Sequence, residues 1–151
     1  MPVTIRRITD LREAVAVGKF LIDEFHGAYR DRFAPVDGEK VLRYLGQHVI
    51  DGVLFVAEQD GCLVGAMAGR PAEYWWSTER FVNEGVFFVS ERARASRAAV
   101  LLLKAMQGYA DDLGLPLVVG VTSGDEVERK DRFFAKRGMA RIGGIYHRNA
   151  A

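Results

Sequence analysis

Residues 84–113 narrow the possible folds of this chain more than any other stretch: a β-branched and aromatic run, a turn rich in arginine, then a long helix with one apolar stripe. Val86, Phe87, Phe88 and Val89 suit a buried strand. Ala99, Leu102, Leu103, Met106, Ala110 and Leu113 recur at the three-to-four spacing of a helix packed on a sheet. Between the two stand Arg92, Arg94 and Arg97. Positive side chains are unfavourable at a helix N-terminus, where unpaired amides already carry partial positive charge. An anion held at the turn explains them better than a solvated helix start, and phosphate or pyrophosphate has the matching chemistry.

The chain of 151 residues is long enough for one domain with a proper core and short for two, so a single domain over 1–151 is expected. With 49% hydrophobic and 27% charged residues it reads as globular, not disordered or fibrous. A net charge of +1 gives no support for a nucleic-acid partner. The lone Cys62 cannot form an internal disulfide, which fits a reducing compartment and excludes a cysteine-based zinc knuckle. Its alternation with Val64 predicts a buried position. No apolar signal core or run of membrane-spanning length is present, so a cytoplasmic protein without membrane contact is expected.

The pattern predicts a strand over 3–7, then a helix opened by Asp10 and Glu13 as a capping box, with a stripe of Leu11, Val15, Gly18, Leu21, Ile22 and Phe25. A loop over 25–35 leads to a second helix starting near Asp37, which buries Val41, Leu42, Leu45 and Val49 and ends at Gly52. Strands over 53–58 and 62–70 join through Asp60-Gly61, and Pro71 closes the hairpin. Residues 72–81 read as a loop. After the long helix, Gly114 fits a left-handed cap and 115–122 an interior strand. Ser123 or Asp125 caps a last helix ending at Gly138, and 139–147 make a final strand with Gly143-Gly144 as a kink. Hairpins first and a strand-helix-strand crossover later imply an α/β protein whose central mixed, mostly antiparallel sheet of about six to seven strands carries helices on both faces.

This order, the turn Arg94-Ala-Ser-Arg-Ala-Ala99, and Phe133-Phe134-Ala-Lys-Arg-Gly138-Met139 resemble the GNAT superfamily of acyl-coenzyme A dependent N-acetyltransferases. The resemblance covers nearly the whole chain. In that family the turn reads Gln/Arg-x-x-Gly-x-Gly/Ala, and its amides hold the coenzyme A pyrophosphate. Arg94 fills the first place and Ala99 the last, while Arg97 stands where glycine is usual. The short chain with this turn is also similar to small family members carried by phages and prophages.

The resemblance implies acetyl-coenzyme A as cosubstrate, held by Phe88, Val89, Arg94, Ala95, Ser96, Arg97, Ala98, Ala99 and Phe134. It implies direct attack of a primary amine, of a small molecule or a protein, on the thioester. Glu84 occupies the place of the water-mediated base, and a backbone amide near Val89 that of the carbonyl polariser. Many members carry tyrosine at the position of Phe134, where it protonates the departing thiolate. Phenylalanine cannot, which leaves Ser123, Tyr146 or water. Phe25, His26, Tyr29, Arg30 and Phe33 fall in the loop that shapes the acceptor site. Trp75 and Trp76, with Tyr74 and Phe81, line an acceptor pocket, form a homodimer contact, or plug the core. His26, His48 and His147 lack metal spacing and read as structural. Phe134 and Arg97 also motivate a different reading, a non-catalytic module that binds acyl-coenzyme A as a sensor or serves as a protein interaction unit.

Overall fold

The computed structural model describes residues 2–28, 33–121 and 126–150. It contains two compact units, Met1–Val118 and Val119–Ala151. The first opens with strand β1 (Val3–Arg7) and helix α1 (Leu11–Ala28). Asp10 starts α1, its Oδ1 accepting the Arg12 amide at 2.8 Å, whereas Glu13 pairs with Arg6 of β1 instead of closing a capping box. The helix continues past the loop start expected at Phe25. Phe25 stands one turn beyond Leu21 and packs edge-on against Phe88, with ring centroids 5.3 Å apart, which keeps the last turns of α1 on the core. Helix α2 (Gly38–Asp51) is capped by Asp37, whose Oδ1 accepts the Lys40 amide at 3.2 Å, and ends at Gly52 as expected. A Cβ on Gly18 would overlap Leu42 Cδ2, so a larger residue where α1 and α2 meet would have to displace that side chain.

Strands β2 (Val53–Gln59), β3 (Cys62–Glu73) and β4 (Arg80–Val89) continue the antiparallel sheet, and β5 (Leu117–Val118) joins β4 in parallel. Strand order follows chain order, β1-β2-β3-β4-β5. Pro71 lies inside β3, opposite Val82, and does not close the hairpin. The reason is local: β2 starts opposite Gly69, so from Arg70 onward β3 has a neighbour on one side only and a missing N–H is tolerated there. The expected loop over 72–81 shrinks to a tip between Glu73 and Arg80. Cys62, predicted buried, is exposed beside the tight turn.

The core has two sides. Ala66 and Ala68 of β3 face a cluster that includes Ala14, Val17 and Leu21 of α1 and Leu45 of α2. The flanking Gly65 and Gly69 face Leu102 and Met106 of helix α3 (Ala98–Leu113), which strand alternation puts on the opposite face. Gly114 caps α3 at φ 66°, as expected.

Among the described residues five strands form instead of six to seven. Only Leu117–Val118 of the described part of 115–122 pairs, and residues 139–147 form no strand. Adjacent Gly143 and Gly144 carry no side chains and raise the entropy cost of extension, and Ile142 and Ile145 are exposed. The second unit is built on helix α4 (Val127–Ala135), whose first cap is Glu126; the expected caps Ser123 and Asp125 lie outside the described residues. Arg137 stacks on the Phe133 ring at 4.2 Å and donates to the Phe133 carbonyl at 2.9 Å. Gly138 follows at φ 77°. No helix among the described residues is long and apolar enough to cross a membrane.

Candidate active site

Strand β4 carries three features in register: a bulge at its middle, an open edge toward its end, and the arginine turn beyond it. The ladder with β3 slips between Ala68 and Gly69, so that Glu84 and Gly85 together stand opposite Gly69. The slip matters because a bulge re-aims the strand. Helix α2 covers it. Tyr44 Oη donates to the Gly85 carbonyl at 3.2 Å, and His48, 2% exposed, stacks edge-on against Tyr44 at 4.6 Å. Burial, then the nearby Glu84 charge, pushes the Tyr44 phenol above its usual range, while Arg70 opposes the shift. Burial also pulls His48 below its usual range, against the hydrogen bond between its Nδ1 and the Tyr44 carbonyl at 2.8 Å.

Toward the end of β4 the edge opens. Strand β5 pairs with Val82 and Asn83 and makes no further ladder pair among the described residues. The Ser90 amide bonds the Val64 carbonyl at 2.8 Å, so by strand alternation the Val89 amide points away from β3, toward the side that β5 has left. That direction suits the expected polariser of a thioester carbonyl. Ser90 is itself buried, and its Oγ donates to Glu24 Oε1 of α1 at 2.8 Å, tying the two elements together. Glu24, Ser90, Glu91 and Arg92 line an open depression of about 420 Å³.

The turn follows as a 3-10 turn (Glu91–Ala93), and α3 starts after Arg97. Ser96 Oγ donates to the Ala93 carbonyl and accepts the Ala98 amide at 3.2 Å, which shapes the approach to the helix. The following amides, Ala99 and Val100, have no carbonyl one helical turn behind them inside α3. Arg92 is anchored on the Leu63 carbonyl at 2.9 Å. Arg94 and Arg97 are exposed, and among the described residues no carboxylate pairs with them. No acidic residue stands in the first turn of α3. Cations left without counter-charge beside free helix amides suit a polyphosphate.

The structure brings Glu84, Phe88, Val89, Arg94, Ala95, Ser96, Arg97, Ala98 and Ala99 onto one strand-turn-helix unit. Phe25 and His26 belong to the last turns of α1, with Phe25 against the core and His26 exposed; Phe33 is exposed, and Tyr29 and Arg30 lie outside the described residues. Trp75 and Trp76 project from the β3–β4 tip at 91% and 66% exposure, while Tyr74 stacks on Phe81 at 4.5 Å, so the tryptophans do not plug the core. Phe134 and Tyr146 belong to the second unit, Tyr146 exposed, and Ser123 lies outside the described residues. Tyr44 was not anticipated at the site. Its signal is present nonetheless: Tyr44 and His48, four apart, interrupt the apolar stripe of α2 with polar atoms on one face.

The family model of the acetyltransferase (GNAT) family matches residues 19–139. No curated protein matches the chain in sequence. Among solved structures, an aminoglycoside acetyltransferase from an uncultured soil metagenomic sample aligns over 100% of both chains at a TM-score of 0.72 and 17% identity. The ribosomal-protein-alanine N-acetyltransferase of Brucella melitensis biovar Abortus 2308 aligns over 99% of this chain and 100% of that one, at 0.68 and 18%. The glucosamine-6-phosphate N-acetyltransferase of Arabidopsis thaliana aligns over 99% of each, at 0.71 and 15%. At these identities the likeness is one of fold.

Proposed function

The chain belongs to the GNAT acetyltransferase family, and from that premise we propose that it moves the acetyl group of acetyl-coenzyme A to a primary amine by direct attack in a ternary complex. The observation that carries the proposal is the strand-turn-helix unit itself: an outward Val89 amide followed by a turn whose Arg94 and Arg97 lack an acidic partner among the described residues. The amides of Ala99 and Val100 and the two guanidiniums have the charge and donors that a pyrophosphate needs. Bound acetyl-coenzyme A supplies an activated acyl group on a thiol leaving group.

The protein contributes orientation and proton handling. The Val89 amide stabilises the negative charge that grows on the acetyl oxygen. Glu84 takes a proton from the ammonium through water, the amine nitrogen bonds the acetyl carbon, and the carbon–sulfur bond breaks to release a thiolate. With a thiol pKa of about 8.5, that thiolate leaves without a proton donor at the instant of cleavage, so Phe134 in place of tyrosine is compatible with turnover. Water then passes the second proton of the attacking nitrogen to the thiolate. The three neighbours are named for an aminoglycoside, a ribosomal protein's alanine and glucosamine 6-phosphate as acceptors. Primary amines are their common ground, and a small molecule or a protein terminus both fit the proposal.

Thermal unfolding with acetyl-coenzyme A, coenzyme A and ATP tests the donor site. At a hundredfold excess over Kd, binding to the folded state adds about 2.7 kcal/mol, or roughly 5–10 °C for a chain this size. Ala99→Asp sets a carboxylate against the phosphate and removes the rise. No rise with saturating coenzyme A refutes the donor site; a rise without turnover of any amine favours the acyl-coenzyme A sensor, the reading that Phe134 motivates.

A further inference from the structure

A β-bulge sets two residues of one strand against one of its neighbour and takes a backbone group out of the ladder. In β4 these two are Glu84 and Gly85, and the Gly85 carbonyl takes its hydrogen bond from outside the sheet, from Tyr44 Oη of α2 at 3.2 Å. The tyrosine is in turn fixed by His48. A carbonyl only accepts, so the 2.8 Å contact to the Tyr44 carbonyl places the proton on His48 Nδ1, and the neutral ring turns a bare Nε2 toward Gly85. A Cβ on Gly85 would overlap that Nε2 and stand 2.7 Å from Tyr44 Oη and 2.8 Å from His48 Cε1. Phenol and imidazole thus close on the bulge from one side. Raised above its usual range, the phenol keeps its proton through physiological pH and remains a donor.

We infer that Tyr44 is a positioning residue for the reaction: by holding the Gly85 carbonyl it fixes the bulged backbone that carries Glu84. The inference rests on the reading of Glu84 as the base. A hydroxyl that only filled space would be replaceable by a hydrogen. A hydroxyl that anchors the bulge is not, because the carbonyl then loses the donor that α2 supplies and the adjoining peptide gains freedom.

Tyr44→Phe retains the ring contact with His48 and removes the donor alone. Native-state amide exchange needs no acceptor: the Gly85 and Val86 amides are expected to exchange about tenfold faster in the variant, with the Leu54 and Met106 amides unchanged. Coenzyme A release is then followed with acetyl-coenzyme A and kanamycin, glucosamine 6-phosphate or an alanine-initiated peptide as the amine. In Tyr44→Phe, kcat falls about ten- to a hundredfold at constant KM for acetyl-coenzyme A. In a Glu84→Gln background the same substitution changes kcat by less than about twofold, because the group it positions is gone. Unchanged exchange at Gly85 and Val86, or an undiminished loss in the Glu84→Gln background, overturns the inference. If Glu84→Gln alone leaves kcat intact, the base assignment falls and the positioning role with it. If Glu84→Gln is impaired and Tyr44→Phe is not, only the positioning role falls.

Discussion

Replacing Gly85 with alanine adds one methyl group at the most crowded point of β4. The glycine is not required by its backbone, since Gly85 is not among the residues with positive φ. It is required by space, with His48 Nε2, Tyr44 Oη and His48 Cε1 all inside normal contact of the added carbon. His48 cannot retreat easily: it is buried and its ring is tethered through Nδ1. Tyr44 lies closer to solvent and can swing away, but doing so breaks the bond to the Gly85 carbonyl, a loss of about 1 kcal/mol. Overpacking of this kind costs about 1–3 kcal/mol, and the lower chain entropy of alanine returns about 0.5–1 kcal/mol. The net expectation is a loss of about 2 kcal/mol, or roughly 4–8 °C in Tm. Urea unfolding followed by far-ultraviolet circular dichroism measures it as a lower midpoint at constant m. A cost below about 0.5 kcal/mol contradicts the crowding argument. So does an equal cost in a His48→Ala background, where the cavity left by the ring relieves the clash and the penalty shrinks by at least about 1 kcal/mol.

Two further outcomes follow from the charges. His48 is held below its usual range chiefly by burial, so the unfolded chain binds the proton more readily; stability is complete above about pH 6.5 and declines as pH falls below it, by up to about 1.4 kcal/mol per pH unit. Urea midpoints between about pH 5 and 7.5 record that slope, and His48→Gln should flatten it; an identical slope in the variant assigns the proton elsewhere. Arg97→Glu moves two properties in opposite directions. A carboxylate at the cap of α3 favours the helix by about 0.3–1 kcal/mol while repelling a phosphate, so Tm holds or rises as coenzyme A affinity measured by calorimetry drops about tenfold. Equal affinity in the variant removes Arg97 from the donor site.

Where the sequence pattern was sufficient, a single local rule decided the outcome. Asp37 and Gly114 sit at helix ends as their chemistry demands, and the stripe from Leu102 to Ala110 faces the sheet. Where the outcome depended on a neighbour, the pattern misled. Pro71 reads as a strand breaker until the short reach of β2 shows that its N–H has nothing to pair with. Residues 139–147 carry Ile142, Ile145 and Tyr146, residue types that suit a strand, yet a strand forms only against a partner, and the glycine pair weakens its claim to one. At the candidate site, the arginine turn and Glu84 stand out as candidates because their spacing lies within one strand-turn-helix unit. Tyr44 reaches Gly85 across 41 positions of sequence, and no local rule encodes that distance.

The aromatic tip between β3 and β4 also decides what light can report about this protein. Both tryptophans of the chain are there, and both are already in water in the folded state. Their emission maximum therefore starts near the solvated limit, and unfolding shifts it little, so intrinsic tryptophan fluorescence records the hairpin tip and is nearly blind to the core. The same insensitivity turns useful for titration: quenching or a blue shift of that emission marks a molecule arriving at the tip, against a background that melting scarcely disturbs.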